Sequence, residues 1–153
     1  MKKKIYVIIG HGACGKSSLV RSLTGVARKK QNVKIKFNND KIEEFSIWIR
    51  SSQEDWKFPK DVIIELSASP NGNILLTLRL HTLYKRPKGI EYLKLIDASF
   101  DIEKIAVIGE RIDVKELAII ESKWGKKVES FQNSWSRPMN ELSSEVREHF
   151  KWV

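Results

Sequence analysis

The stretch Gly10-His11-Gly12-Ala13-Cys14-Gly15-Lys16-Ser17 constrains this chain more than any other, because it fits G-x-x-x-x-G-K-[ST] at every fixed position. Its neighbours are those the pattern requires. The apolar run 5–9 predicts a strand buried on both faces. Over 17–29, Leu19, Val20, Leu23, Val26 and Ala27 recur at helical spacing and predict a helix with one face on the sheet. A glycine-rich turn between two such elements lets the backbone wrap a phosphate with its amides pointing inward. The helix start adds unpaired N–H groups and the positive end of the dipole. This reading assigns Gly10, His11, Gly12, Ala13, Cys14, Gly15, Lys16, Ser17 and Ser18 to the phosphate tail of a nucleotide. Lys16 is expected to reach the β- and γ-phosphates, and Ser17 to put its hydroxyl on Mg²⁺. Cys14, inside the ring of amides, is expected to have a lowered thiol pKa and no catalytic role. A bulky thiol reagent at Cys14 is expected to weaken nucleotide binding. His11 reads as a loop residue rather than a general base.

Further along, strands and helices alternate. Residues 33–37 and 45–49 read as a hairpin around the turn 38–40, and 51–60 as a loop closed by Pro59. Residues 61–66 read as a second buried strand. Residues 74–83 fit a strand by alternation and a helix by leucine content. Residues 89–98 read as a helix with Ile90, Leu93, Ile96 and Leu95 inward, and 105–108 as a third buried strand. Asp113 and Glu116 resemble a helix-starting box. That helix runs to Trp124 and stops at Gly125. Residues 128–131 read as a short edge strand, and a last helix starts near Pro138 with the stripe Leu142, Val146, His149 or Phe150, and Val153. The expected fold is a single domain over 1–153, three-layer α/β of the P-loop NTPase type, with a mainly parallel central sheet.

Composition narrows the partners. The net charge is +9, with 12 Lys/Arg against 3 Asp/Glu in residues 1–50 and 16 of each in the remainder, so the whole excess lies in the segment holding the phosphate loop. Such a field favours an anionic ligand and can reach RNA, a ribosome or a protein partner through the basic N-terminal third. No run approaches the roughly 20 apolar residues of a membrane span, and a single cysteine fits a reducing, cytoplasmic setting. Trp48, Trp124 and Trp152 are expected in the core, whereas Trp56 and Trp135 lie in polar segments and are candidates for partner contact.

Residues 10–25 go beyond a generic phosphate loop. Gly10-His11 through Gly15-Lys16-Ser17-Ser18-Leu19-Val20-Arg21-Ser22-Leu23-Thr24-Gly25 resembles the opening of the GTP-binding domain of translational GTPases. The closest likeness is to initiation factor 2 gamma and the selenocysteine-specific elongation factor, which read G-H-V-D-H-G-K-[ST]-[ST]-L-[VT]-x-[AS]-L-[TS]-G there. On that resemblance, 33–37 corresponds to the strand after the first switch, 89–93 to the family's T-x-E-H-L helix, and 105–108 to its next strand. Glu110-Arg111-Ile112-Asp113 stands in place of the base-reading N-K-x-D, with Asp113 implied to accept from guanine. The departures matter more. Lys34 falls near the position of the switch threonine, no D-x-x-G occurs, and neither 49–52 nor 66–69 supplies its acid and glycine. The family's water-positioning histidine has no counterpart.

Three functions follow from this balance. One is a regulatory or assembly module that binds a purine nucleoside triphosphate, GTP by resemblance, with weak or absent hydrolysis. The second is an active NTPase or phosphotransferase, using ATP or GTP with Mg²⁺, in which Glu65 at the end of the strand 61–66, or Asp97, serves as the metal-linked acid. The third is a basic RNA- or ribosome-associated protein with vestigial nucleotide binding.

Overall fold

The computed structural model describes residues 2–12, 14–26, 28 and 30–153. Six strands form one sheet in the order β2-β3-β4-β1-β5-β6. They are β1 (Lys4–Gly10), β2 (Lys30–Lys36), β3 (Ile42–Trp48), β4 (Asn73–Arg79), β5 (Asp101–Ile108) and β6 (Val128–Phe131). All neighbours are parallel except the β2–β3 hairpin. Among the described residues five α-helices accompany them: α1 (Lys16–Thr24), α2 (Pro59–Ala68), α3 (Gly89–Ser99), α4 (Val114–Trp124) and α5 (Met139–Phe150).

The strand period of two sorts the core into layers. Ile5, Val7 and Ile9 of β1 point to one face, where Val62 and Leu66 of α2, Tyr92, Leu93 and Ile96 of α3, and Ile120 and Trp124 of α4 cover them. Tyr6 and Ile8 point to the other, beneath Leu19, Val20 and Leu23 of α1 and Leu142, Val146 and Phe150 of α5. The expected three-layer α/β domain with a mainly parallel sheet is therefore observed.

Two elements differ from expectation. Residues 61–66 are helical, within α2. Pro59 opens that helix, and the Asp61 carboxylate accepts from the Phe58 N–H at 2.8 Å. Val62 and Leu66, four apart, are buried, whereas Ile64 is 67 % exposed, a one-sided burial that a strand covered on both faces would not show. Helix α1 ends at Thr24, where Gly25 takes the left-handed conformation at φ 73° and its N–H bonds Arg21 O. Ala27 and Lys29, in the turn expected beyond it, lie outside the described residues. Residues 73–79 resolve to a strand. The rest agrees in kind, although Leu95 and Val153 are exposed instead of inward. Trp48, Trp124 and Trp152 are buried, and Trp56 and Trp135 are exposed, as expected. Among the described residues no helix is long and apolar enough to cross a membrane.

The layer assignment also creates a crevice. The helix after β1 lies on one face, while those after its neighbours β4 and β5 lie on the other. Ligands of open α/β sheets bind outside the strand carboxyl ends at such a reversal, and the glycine-rich loop emerges there.

Candidate phosphate-binding site

Between β1 and α1 the loop turns in little space. A Cβ on Gly10 would lie 2.4 Å from Ile108 O and 2.7 Å from Cys14 Sγ, so only glycine lets β1 pass this close to β5. Gly15 has φ 91° and delivers the chain into α1. Lys16 and Ser17 are thus the first residues of α1, at the end whose amides lack intrahelical partners. Ala13 lies outside the described residues.

Lys16 is only 7 % exposed. Its Nζ donates to His11 O at 2.7 Å and Gly10 O at 3.2 Å, and lies 3.7 Å from Cys14 Sγ. The ammonium therefore sits inside the loop on two carbonyls. Burial pushes its pKa below the ordinary lysine value, which the nearby Cys14 and Glu54 oppose and Arg79 reinforces. The expected lowering at Cys14 is not found. Its thiol is 1 % exposed, and burial raises its pKa despite the attraction of Lys16. A thiol this buried is a slow target for a bulky reagent. His11 is a loop fastener: its Nδ1 lies 2.8 Å from Gly12 O, and its Nε2 accepts from the Glu110 N–H at 3.0 Å. That pairing fits a neutral ring with its proton on Nδ1.

Around the loop lies an open hollow of about 220 Å³, lined by Cys14, Gly15, Lys16, Ser17, Ser18, Glu54 and Trp135. Two groups beside the loop, one of them lining the hollow, carried no sequence signal. Glu54, in the loop after β3, is the one carboxylate among the described lining residues. Its Oε1 accepts from Ser51 Oγ at 2.8 Å, which fixes its direction. Arg79 ends β4 directly beside Gly10 in register. A Cβ on Gly12 would lie 2.6 Å from its guanidinium, so the cation is packed on the glycine-rich loop. Its buried Nε has no hydrogen-bond partner among the described residues.

The loop after β3 is pinned. Gln53 is fully buried. Its Nε2 donates to Arg79 O at 2.9 Å and Pro87 O at 3.2 Å, and its Oε1 accepts from the Arg79 N–H at 3.1 Å. The loop after β6 is pinned to the glycine-rich loop itself. Buried Ser134 donates through Oγ to Cys14 O at 2.7 Å and through N to Gly109 O at 3.2 Å.

The other sequence-selected acids lie elsewhere. Glu65 does not end a strand; it is on α2, where its carboxylate pairs with Lys30 at 2.5 Å and Lys57 at 2.7 Å. Those lysines hold its pKa below the ordinary carboxylate value against the effect of partial burial, and it lines a different hollow, with Lys30 and Trp48. Asp97 is exposed in the last turns of α3, which leads to the amino end of β5, the edge opposite the loop. Neither meets Ser17. Asp113 is the N-cap of α4, its Oδ1 accepting from the Lys115 and Glu116 N–H groups at 2.9 and 3.2 Å. Glu116 completes no box, because its Oε1 lies 3.4 Å from Lys88 Nζ. Glu110 Oε2 accepts from the Trp135 and Ser136 N–H groups at 2.9 and 3.1 Å. Bonds to Ser136 and Trp135 lower its pKa.

The basic N-terminus is not gathered at the loop. Lys4 and Gly10 occupy opposite ends of β1. Lys3 Nζ donates to Leu66 O at 2.8 Å, at the carbonyl end of α2, and Lys4 faces Glu103 at 3.9 Å.

The donors around the hollow suit a polyphosphate with a hard cation: one lysine, one arginine, a helix start, and the oxygens of Ser17 and Glu54. Among the described residues no group of three His, Cys, Asp or Glu side chains gathers as a metal site, so a cation here would draw its remaining ligands from phosphate and water. Compared with known proteins, the chain matches no protein-family model and no curated sequence.

Proposed function

We propose that this chain is a P-loop NTPase-like nucleotide-binding module that holds a nucleoside triphosphate, with Mg²⁺, on residues 10–18, with weak or absent hydrolysis. The observation that carries this reading is the position of the loop. Gly10, Gly15, Lys16 and the start of α1 meet at the carboxyl edge of the sheet, at the reversal beside β1. Lys16 would leave two neutral carbonyls for phosphate oxygens, a stronger charge-assisted pairing. Arg79 supplies a second cation from the neighbouring strand. Ser17 would hold the cation, and Mg²⁺ when bound neutralises phosphate charge.

Weak hydrolysis follows from the pinned loop after β3. In the family this chain resembles, that region carries the D-x-x-G switch. Here Gln53 ties it to both ends of the β4–α3 connection, which opposes a swing toward a γ-phosphate. Glu54 favours a second reading, in which the module turns nucleotide over. It faces the hollow and is oriented by Ser51, so it can orient a water or support the cation.

Titration calorimetry with MgATP, MgGTP and inorganic tripolyphosphate tests the first reading. Micromolar to millimolar binding that is lost in Lys16→Ala is expected. No uptake of any of the three by the folded protein would end the proposal. Phosphate release above background that disappears in Glu54→Gln would establish the second reading.

A further inference from the structure

We propose that the indole of Trp135 is the nucleobase platform of this site, and that the site therefore accepts adenine and guanine nucleotides alike. The inference rests on the nucleotide reading of the phosphate loop and names the ligand class it takes. Trp135 is 65 % exposed and lines the hollow with Lys16, Ser17 and Ser18. A Cβ on Gly15 would lie 3.4 Å from its Cε3, so the ring rests against the loop backbone. The backbone that carries this indole is pinned on both sides. The main-chain N–H groups of Trp135 and Ser136 donate to Glu110 Oε2, and Ser134 before them donates through Oγ to Cys14 O. A rigid, uncovered aromatic face beside a phosphate cradle suits stacking on a base.

Glu110 and Asp113, which could read a base edge, do not line the hollow, and the lining carboxylate Glu54 is bonded through Oε1 to Ser51. One oxygen of Glu110 holds the Trp135 segment, and one oxygen of Asp113 caps α4. Of the polar lining groups, Lys16 and Ser17 serve the phosphates and cation. Stacking does not discriminate, because every base has a π-face, and its loss costs about tenfold or more in affinity.

The test compares wild type, Trp135→Ala and Trp135→Phe by calorimetry with MgATP, MgGTP and inorganic tripolyphosphate, and follows tryptophan fluorescence. Wild-type affinities for ATP and GTP within about threefold of each other are expected for a stacking-only site. Trp135→Ala should weaken both nucleotides about tenfold and leave tripolyphosphate unchanged, while Trp135→Phe retains most of the affinity. Nucleotides, but not tripolyphosphate, should quench a component of the emission that is missing in Trp135→Phe. A guanine preference above about a hundredfold, or unchanged nucleotide affinity in Trp135→Ala, overturns this inference while the phosphate loop stands. Failure of the wild type to bind even tripolyphosphate overturns both. The ring is mostly in solvent, so circular dichroism and the unfolding midpoint of the variants should match wild type.

Discussion

At Lys16, burial and hydrogen bonding pull against each other. The side chain is desolvated, and two carbonyls rather than a carboxylate receive its charge. Removing it takes away charge-assisted bonds of about 1.5–3 kcal/mol each, so Lys16→Ala should lose roughly tenfold to a hundredfold or more in triphosphate affinity by calorimetry. The depressed pKa gives a second outcome. Bound phosphate demands the charged form, so above the free protein's lysine pKa binding must take up a proton. Affinity should therefore fall on the alkaline side at a pH below the ordinary lysine range, with proton uptake visible in buffers of differing ionisation heat. Gly10→Ala should destabilise by about 2 kcal/mol or more, because its Cβ would meet backbone at 2.4 Å. His149 is a third case. Its ring is buried between α5 and the sheet, with Nε2 3.0 Å from Ile105 O and 3.1 Å from Lys127 O and Nδ1 3.4 Å from Glu129. Burial lowers its pKa below the usual value, outweighing the bonds to Ile105 and Lys127 and the charge of Glu129. The unfolded chain then binds the proton more readily. Stability is fully present above about pH 6.5 and is lost as pH falls from there through the folded value. His149→Gln should flatten that part of the melting-temperature profile.

Helix α2 shows how an element is misread when apolar residues are consecutive. Val62-Ile63-Ile64 is β-branched and looks like a buried strand. Pro59 and Asp61, which start a helix, were visible in the sequence but carry less weight than an apolar run. What decided the outcome is that β3 and β4 are parallel neighbours and need a crossover between them. Helix α4 gives the opposite lesson, since Asp113 is legible both as a cap and, by resemblance, as a base reader, and the cap forms through Oδ1. Asp113→Ala should cost about 1 kcal/mol in denaturant unfolding and leave ATP and GTP affinities unchanged. A specific loss of GTP binding would restore the base-reading role.

Across the whole molecule, one central sheet divides two cores, and the two are expected to unfold as one cooperative unit. Phe150→Ala on the α1–α5 side should cost about 3–5 kcal/mol and Leu66→Ala on the α2–α4 side about 2–5 kcal/mol. Each should lower a single urea midpoint shared by fluorescence and far-UV circular dichroism. Two separate transitions in either variant would contradict one domain. The site belongs to this scale as well. The candidate loop at 10–18 stands out in the sequence because its spacing is local, with glycine, lysine and hydroxyl in fixed order. Glu54 and Arg79 carried no such signal, and Trp135 only that of an aromatic in a polar segment, since they come from the loop after β3, the end of β4 and the loop after β6 and come near the loop only when the strands line up beside β1. Glu65 and Asp97 both follow apolar runs in the sequence, and the fold carries both away from the loop.

By itself the sequence determined whatever depends on near neighbours: the strand–loop–helix unit at 4–24, the alternation of strands and helices, and the glycines where the backbone has no room for a side chain. Tertiary structure alone decided the strand order, the face each helix covers, and which distant charges and rings surround Lys16. Those outcomes depend on burying two apolar faces at once, an energy that no short stretch of chain contains.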